Sequence, residues 1–264
     1  MNLHLDAIVL RAGKRTLIDS LTQTFAPGEM WCIAGPNGAG KTTLIHVLAG
    51  LSAPDAGRVL LDGRALASWR AAQLARVRAL MPQAIHDAFS ASVLDTVLLN
   101  RFPYLTGWGW ESADDRAAAH AALDALGLAP FATRDVLTLS GGERQRVALA
   151  AVLCQNAPLL LLDEPLAHLD LHHQIACLHA LRAATGATAH PAGFARTVVF
   201  SCHDLNLARR FATHALLLDG HGHACAGPVA EVLTPERASA AFGYPLALLR
   251  DGDHEALVPS IPRF

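Results

Sequence analysis

Cysteine, charge and long apolar runs are all scarce in this chain, and each shortage removes a class of protein. The 264 residues include five cysteines (Cys32, Cys154, Cys177, Cys202 and Cys225), odd in number and without CxxC spacing. Neither a disulfide framework nor a zinc site is expected from them, and free thiols fit a reducing compartment. Charged residues make up 17% and the formal net charge is −2, with no basic stripe to suggest a nucleic-acid partner. The longest apolar runs, such as VALAAVLC, fall far short of the ~20 residues that span a bilayer. The opening NLHLDAIVLRAGKR has an acid and a turn where a secretion signal carries its apolar core, so a soluble chain is expected. No internal repeat is present.

What the chain has in quantity is hydrophobic residues, 52% of the total, enough for one large core or two modest ones. LHLDAIVL and RTLIDSLTQTF alternate apolar and polar residues across the turn RAGK and predict an antiparallel hairpin. EMWCIAG reads as a short strand, followed by a glycine-rich loop and the helix KTTLIHVLAGL. GRVLLDGRAL is a second hairpin about Asp62-Gly63, and ARVRALMPQ a strand ending at Gln83. From about 84 to 155 the pattern turns helical, through VLDTVLLNRF, DDRAAAHAALDALGL and the helix after Ser140. Strand signals return in PLLLLDEP, TVVFSCHD and ATHALLLDG, with LHHQIACLHALRAA a helix among them. The expectation is an α/β core interrupted by an all-helical insert. TGATAHPAGFA (185–195) reads as a flexible connection.

GPNGAGKT, residues 35–42, fits G-x-x-x-x-G-K-[ST] between a predicted strand and a predicted helix. Gly35, Gly38 and Gly40 let backbone N–H groups face phosphates, Lys41 reaches the β and γ oxygens, and the Thr42 hydroxyl suits Mg²⁺. PLLLLDE ends in Asp163 and Glu164, which a buried strand would deliver to the ligand-binding edge of a parallel sheet. Asp163 suits Mg²⁺ and Glu164 a general base that orients water. His203 closes another predicted strand; a lone strand-end histidine is more often structural, and it gains weight only by converging on the same phosphate. In LSGGERQR (139–146), Ser140 with Glu143 has the form of a capping box, with Gly141 and Gly142 beside it. Such a helix start offers bare N–H groups and a positive dipole end to an anion.

With the phosphate loop, LSGGERQR and the acid pair all present, the chain resembles the ATPase subunit of an ABC transporter over nearly its whole length. LSGGERQR is similar to that family's signature motif. Gln83 matches its Q-loop glutamine, AHLD (167–170) its D-loop, and His203 its switch histidine. The resemblance implies a RecA-like P-loop core with an antiparallel β edge (1–83 and 156–227), a helical signature subdomain (84–155) and a C-terminal helical tail (228–264). It implies ATP and Mg²⁺ as cofactors. Gly35, Pro36, Asn37, Gly38, Ala39, Gly40, Lys41, Thr42 and Thr43 would hold ATP, and Thr42, Gln83 and Asp163 would serve the metal. Lys41, Glu164 and His203 would carry hydrolysis. Ser140, Gly141 and Gly142 would close the nucleotide site of a second copy packed head to tail.

Other implied partners are a polytopic membrane permease dimer and, indirectly, a periplasmic substrate-binding protein; nucleic acid is not among them. The implied position is peripheral, on the cytoplasmic face of the inner membrane. VLLNRFPYLTGWGW (97–110), LDLHHQ (169–174), HDLNLARRFA (203–212) and AGPVAEVLTPERASAAFGY (226–244) resemble ATPases of type II importers for ferric siderophores, haem and vitamin B12, with a slight lean to cobalamin. The rival is a soluble ABC ATPase acting as a scaffold in iron–sulfur assembly.

One departure stands out: relatives place an aromatic residue on adenine about where Leu10 and Arg11 stand, and IVLRAG has no ring. Either Arg11 lies over the base, or the contact is aliphatic, or there is none. His168 and His172 share i, i+4 spacing but lack a third ligand, and His221-Gly222-His223 reads as a hairpin tip. The aromatics of 102–110 fit a buried patch of the insert or a surface that docks a membrane subunit equally well.

Overall fold

The computed structural model describes residues 1–85, 89–105, 111–186, 194–252 and 254–260. In chain order the first elements are β1 (Leu3–Ala12), β2 (Arg15–Phe25), β3 (Met30–Ala34), α1 (Lys41–Leu48), β4 (Ala56–Leu61) and β5 (Arg64–Ala65). Then come α2 (Ala71–Val77), β6 (Arg78–Met81), α3 (Val93–Leu98), α4 (Ala113–Ala125), α5 (Gly141–Gln155), β7 (Leu159–Leu162) and α6 (Leu171–Thr185). The chain continues through β8 (Thr197–Ser201), α7 (Leu205–Phe211), β9 (His214–Leu218), β10 (Ala224–Pro228), α8 (Val229–Val232) and α9 (Pro235–Phe242). It closes with β11 (Leu246–Asp251) and β12 (His254–Pro259). Two compact units result, one of residues 1–68 and 199–264 and one of residues 69–198.

In the first unit, β1 pairs antiparallel with β2 and β4, in the strand order β2-β1-β4-β5. Both expected hairpins form, the second turning at Asp62 (φ 49°) and Gly63 (φ 76°). A bulge at Ala7 (φ 47°) shifts the β1 register. Gly57 sits against it, where a Cβ would come within 2.3 Å of the Ala7 carbonyl, so only glycine fits. β9 pairs parallel with β3 and antiparallel with β10. Every residue of β3 is buried, as a parallel strand covered on both faces requires. Trp31 packs against Phe25 and His214 with ring centroids 4.8 and 4.6 Å apart, and its Nε1 donates to Glu29 at 2.7 Å.

In the second unit, β6 pairs parallel with β7 in register Met81↔Leu162. Helices α3, α4 and α5 pack on one another. β8 starts in this unit, where Thr197 N–H donates to the Pro158 carbonyl, and ends in the first, where Cys202 N–H donates to the Ile33 carbonyl.

Several expectations change. The strand expected over ARVRALMPQ is only four residues long, because α2 runs to Val77 and the chain becomes extended at Arg78. The helical tail is corrected: α8 and α9 are followed by an antiparallel hairpin of β11 and β12. Gly243 ends α9 in the left-handed region (φ 69°) and Pro245 blocks further helix, after which LALLR and EALV pair across Gly252. The compact second unit also differs from the insert expected at 84–155, since β6, β7 and α6 belong to it. The connection at 185–195 overlaps α6 at Thr185, and most of it lies outside the described residues.

Candidate functional site

The phosphate loop lies wholly in the first unit, between the end of β3 and the first residue of α1. Gly35, Gly38 and Gly40 adopt φ of 148°, 74° and 104°, a region that disfavours any side chain. Space demands glycine as well. A Cβ on Gly35 would lie 2.4 Å from the Leu218 carbonyl at the end of β9, and one on Gly40 would lie 3.1 Å from Leu17 Cβ on β2. Lys41 is buried, and its Nζ folds back to donate to the carbonyls of Gly35 and Pro36 at 2.9 and 3.1 Å. Thr42 and Thr43 are half-buried, Pro36 half-buried and Asn37 exposed, while Ala39 is buried beneath the loop. No acidic residue occupies the first turn of α1, so its positive end is left for an anion.

His203 stands in the same unit on the short span between β8 and α7 and is exposed. Cys202 is tied to β3, and Asp204 caps α7 by accepting from the N–H groups of Asn206 and Leu207 at 2.8 and 3.0 Å. The histidine therefore projects from backbone fixed on both sides.

The second unit gathers Gln83, Asp163, Glu164 and the signature residues. Asp163 is fully buried, and its N–H donates to the Met81 carbonyl, extending the β6–β7 ladder by one residue. Gln83, two residues past Met81 and exposed, thus follows the same edge of the strand pair as Asp163 and Glu164. Glu164 takes φ 50°, left-handed for a residue that precedes a proline. Its carbonyl accepts from Gln145 Nε2 at 2.9 Å and from Ala167 N–H at 3.1 Å.

The capping box forms as expected. Ser140 Oγ accepts from Glu143 N–H at 3.3 Å, and Glu143 Oε2 accepts from Ser140 N–H at 2.7 Å. That backbone bond holds the Glu143 carboxyl below the usual carboxylate range. A Cβ on Gly141 would make only an ordinary contact with His168 Cβ at 4.0 Å, whereas one on Gly142 would meet the His168 carbonyl at 3.1 Å. A cavity of about 400 Å³ lies here, with Ser140, Gly142 and Glu143 on one side and His168, Asp170 and His173 on the other. Asp170 caps α6, so His168 (φ 62°) precedes the helix that holds His172 and the i, i+4 pairing does not form. His221 and His223 sit at the turn joining β9 and β10.

Two side chains escaped the sequence reading. Gln145 is buried on the inner face of α5 and grips Glu164, which no local pattern reveals. Arg15 stands beside the phosphate loop, across the sheet turn from Leu10. Leu10 itself is in the core at 1% exposure, which removes it as an aliphatic base contact. Arg11 is exposed and its N–H donates to Asp55 at 2.7 Å.

A model of the ABC transporter family matches residues 18–167, a span from β2 through the phosphate loop and the signature helix to the D-loop. The chain belongs to the ABC transporter ATP-binding family. It is 40% identical over 247 residues to the hemin import ATP-binding protein of Pseudomonas entomophila, covering 91% of this chain and 92% of that one. To the protein of that name from Gloeobacter violaceus it is 42% identical over 250 residues, with 92% and 88% covered. The cobalamin import ATP-binding protein of Halobacterium salinarum is 39% identical over 241 residues, 91% of this chain and 58% of that longer one. Among solved structures, a metal-chelate type ABC transporter in an inward-facing conformation superposes with a TM-score of 0.81 at 28% identity, covering 98% and 97%. A dimeric bacterial ABC transporter cassette gives 0.72 at 25% identity, covering 86% and 98%. The fold is thus the RecA-like P-loop fold of ABC ATPases, and the chain is an ATP-binding ATPase coupled to transport.

Proposed function

We propose that this ABC ATPase energises import of a metal chelate, haem ahead of cobalamin or a ferric siderophore, through a separate membrane permease. The observation that carries the reading is the glycine-bound loop 35–42 with Lys41 at the start of α1, in a chain whose relatives carry import names. The slight lean to cobalamin gives way to haem, because hemin import proteins from Pseudomonas, Gloeobacter and Bradyrhizobium are all about as similar as, or more similar than, the cobalamin one. The same names argue against the iron–sulfur scaffold.

In this account the loop N–H groups and Lys41 bind the β- and γ-phosphates. Thr42, Gln83 and Asp163 offer oxygen donors only, the set that Mg²⁺ prefers. Mg²⁺, when bound, supplies charge neutralisation at the phosphate oxygens. Glu164 takes a proton from the attacking water, and His203 hydrogen-bonds the γ-phosphate. Ser140, Gly141 and Gly142 present the capped start of α5 to the γ-phosphate held by a second copy packed head to tail. ATP then favours the closed dimer, and hydrolysis removes the bridging charge and lets it open.

Among the described residues no helix is long and apolar enough to cross a membrane. A peripheral position on the cytoplasmic face, against a permease dimer served by a periplasmic binding protein, follows from the importer reading. Leu99 and Phe102 are exposed at 71% and 76% and suit the permease contact, whereas the Tyr104 hydroxyl bonds to the Arg76 carbonyl. The rings of Trp108 and Trp110, part of the same expectation, lie outside the described residues. The test is co-purification with a polytopic permease followed by ATP-driven uptake of haem, cobalamin and a ferric siderophore into vesicles. Uptake of none of the three would remove the reading.

A further inference from the structure

The first hairpin offers no ring to a nucleotide, but it sets a cation at the mouth of the phosphate loop. Arg15 opens β2 after the Gly13 turn, and its Nε and Nη2 both donate to the Gly220 carbonyl, at 3.1 and 2.6 Å. The backbone presenting that carbonyl is held firmly. The Asp219 carboxylate accepts from the N–H groups of His221 and His223 at 2.7 and 3.1 Å, and the Gly222 carbonyl accepts from Asp19 N–H at 2.8 Å. Gly220 (φ 75°) leaves the necessary room: a Cβ there would lie 2.9 Å from Arg15 Nη2 and 3.4 Å from Ala39 Cα. This turn therefore touches the guanidinium and the phosphate loop at one place.

The remaining corner of the guanidinium faces the loop. Arg15 Nη1 lies 3.7 Å from where a Cβ on Gly38 would stand. It makes no hydrogen bond among the described residues, and no carboxylate there pairs with Arg15. A carbonyl clamp fixes the group without neutralising it. Two N–H groups of the fork are used, and the charge and the Nη1 donors stay available.

We propose that Arg15 is a second cation of the nucleotide site, binding the polyphosphate of ATP at the outer rim of the loop while Lys41 acts from within. The proposal rests on ATP binding at residues 35–42. The clamp presents Nη1 edge-on to Gly38, which suits an oxyanion; stacking on the base would need the guanidinium face. A contact to phosphate ignores the base, so it supplies affinity without choosing between ATP and GTP.

The test titrates the parent chain, Arg15→Ala, Arg15→Gln and Arg15→Lys with MgATP, MgGTP and magnesium tripolyphosphate. Arg15→Ala should weaken all three by a similar factor, about tenfold for one charge-assisted contact at an exposed position, and should flatten the salt dependence. Arg15→Gln keeps a donor for the Gly220 carbonyl without the charge. It should show the same loss at an unchanged melting temperature, which separates binding from folding. Arg15→Lys should recover part of the affinity. A variant that loses ATP but binds tripolyphosphate as the parent does would place Arg15 on the base or ribose and overturn the proposal, as would unchanged binding of all three. Lys41→Ala should weaken every ligand in every background; if it does not, the loop reading fails on its own, apart from Arg15.

Discussion

Gln145→Leu tests whether the signature helix holds the proposed base in place. The substitution keeps the volume of a side chain that is only 4% exposed and removes one hydrogen bond, the 2.9 Å contact from Nε2 to the Glu164 carbonyl. The carbonyl keeps its bond from Ala167 N–H, so no buried acceptor is orphaned and the stability loss should be about 1 kcal/mol. That corresponds to a fall in Tm of roughly 2–4 °C for a chain of this size. The effect on turnover should be larger. Glu164 occupies a left-handed conformation before Pro165, which costs on the order of 1–2 kcal/mol and persists only while its surroundings enforce it. Once the grip is gone, backbone relaxation moves the carboxylate, and a displacement near 1 Å can cost ~10²-fold in rate. Steady-state hydrolysis and thermal melting on the same samples decide the matter. A Tm loss of that size with turnover within twofold of the parent would show that the bond serves stability alone, and the positioning argument would be wrong.

Glu164→Gln should retain ATP binding and lose at least ~10²-fold in hydrolysis, since the amide cannot take a proton; turnover within a few-fold of the parent would remove Glu164 from its role. Gly35→Ala would press a methyl into the Leu218 carbonyl at 2.4 Å, so urea unfolding should show a loss of about 2–4 kcal/mol and ATP titration no measurable binding. Ser140→Arg should act on the opposing copy: alone it should be nearly inactive, and mixed with Lys41→Ala it should regain a fraction of activity through dimers that hold one intact site. Cysteines placed at Gly38 and Ser140 should cross-link between chains, and a cross-link formed within one chain would contradict head-to-tail packing.

Where a local rule decides the structure, the sequence was readable in advance. Ser140 and Glu143 satisfy each other across three residues, so the start of α5 is visible without any tertiary information. The two glycine-turned hairpins and the phosphate loop are equally local. Misreadings arise where a longer-range contact decides. The apolar residues of 75–81 fit a strand, yet helix α2 claims residues up to Val77 and only Arg78–Met81 pair with β7. The tail after α9 forms strands because LALLR and EALV find each other across Gly252. Register on the first hairpin decides the base contact: Leu10 turns into the core, and the cation beside the loop is Arg15, four residues past Arg11. Gln145 is legible in neither sense, because its meaning depends on a carbonyl nineteen residues away.

The central claim, that this ATPase turns the energy of the loop-bound nucleotide into chelate import, meets its most direct test in vesicles holding the chain with its permease. ATP should drive haem uptake in the parent, and Glu164→Gln should abolish it while still binding ATP. Haem uptake that proceeds equally with Glu164→Gln, or without ATP, would contradict the account.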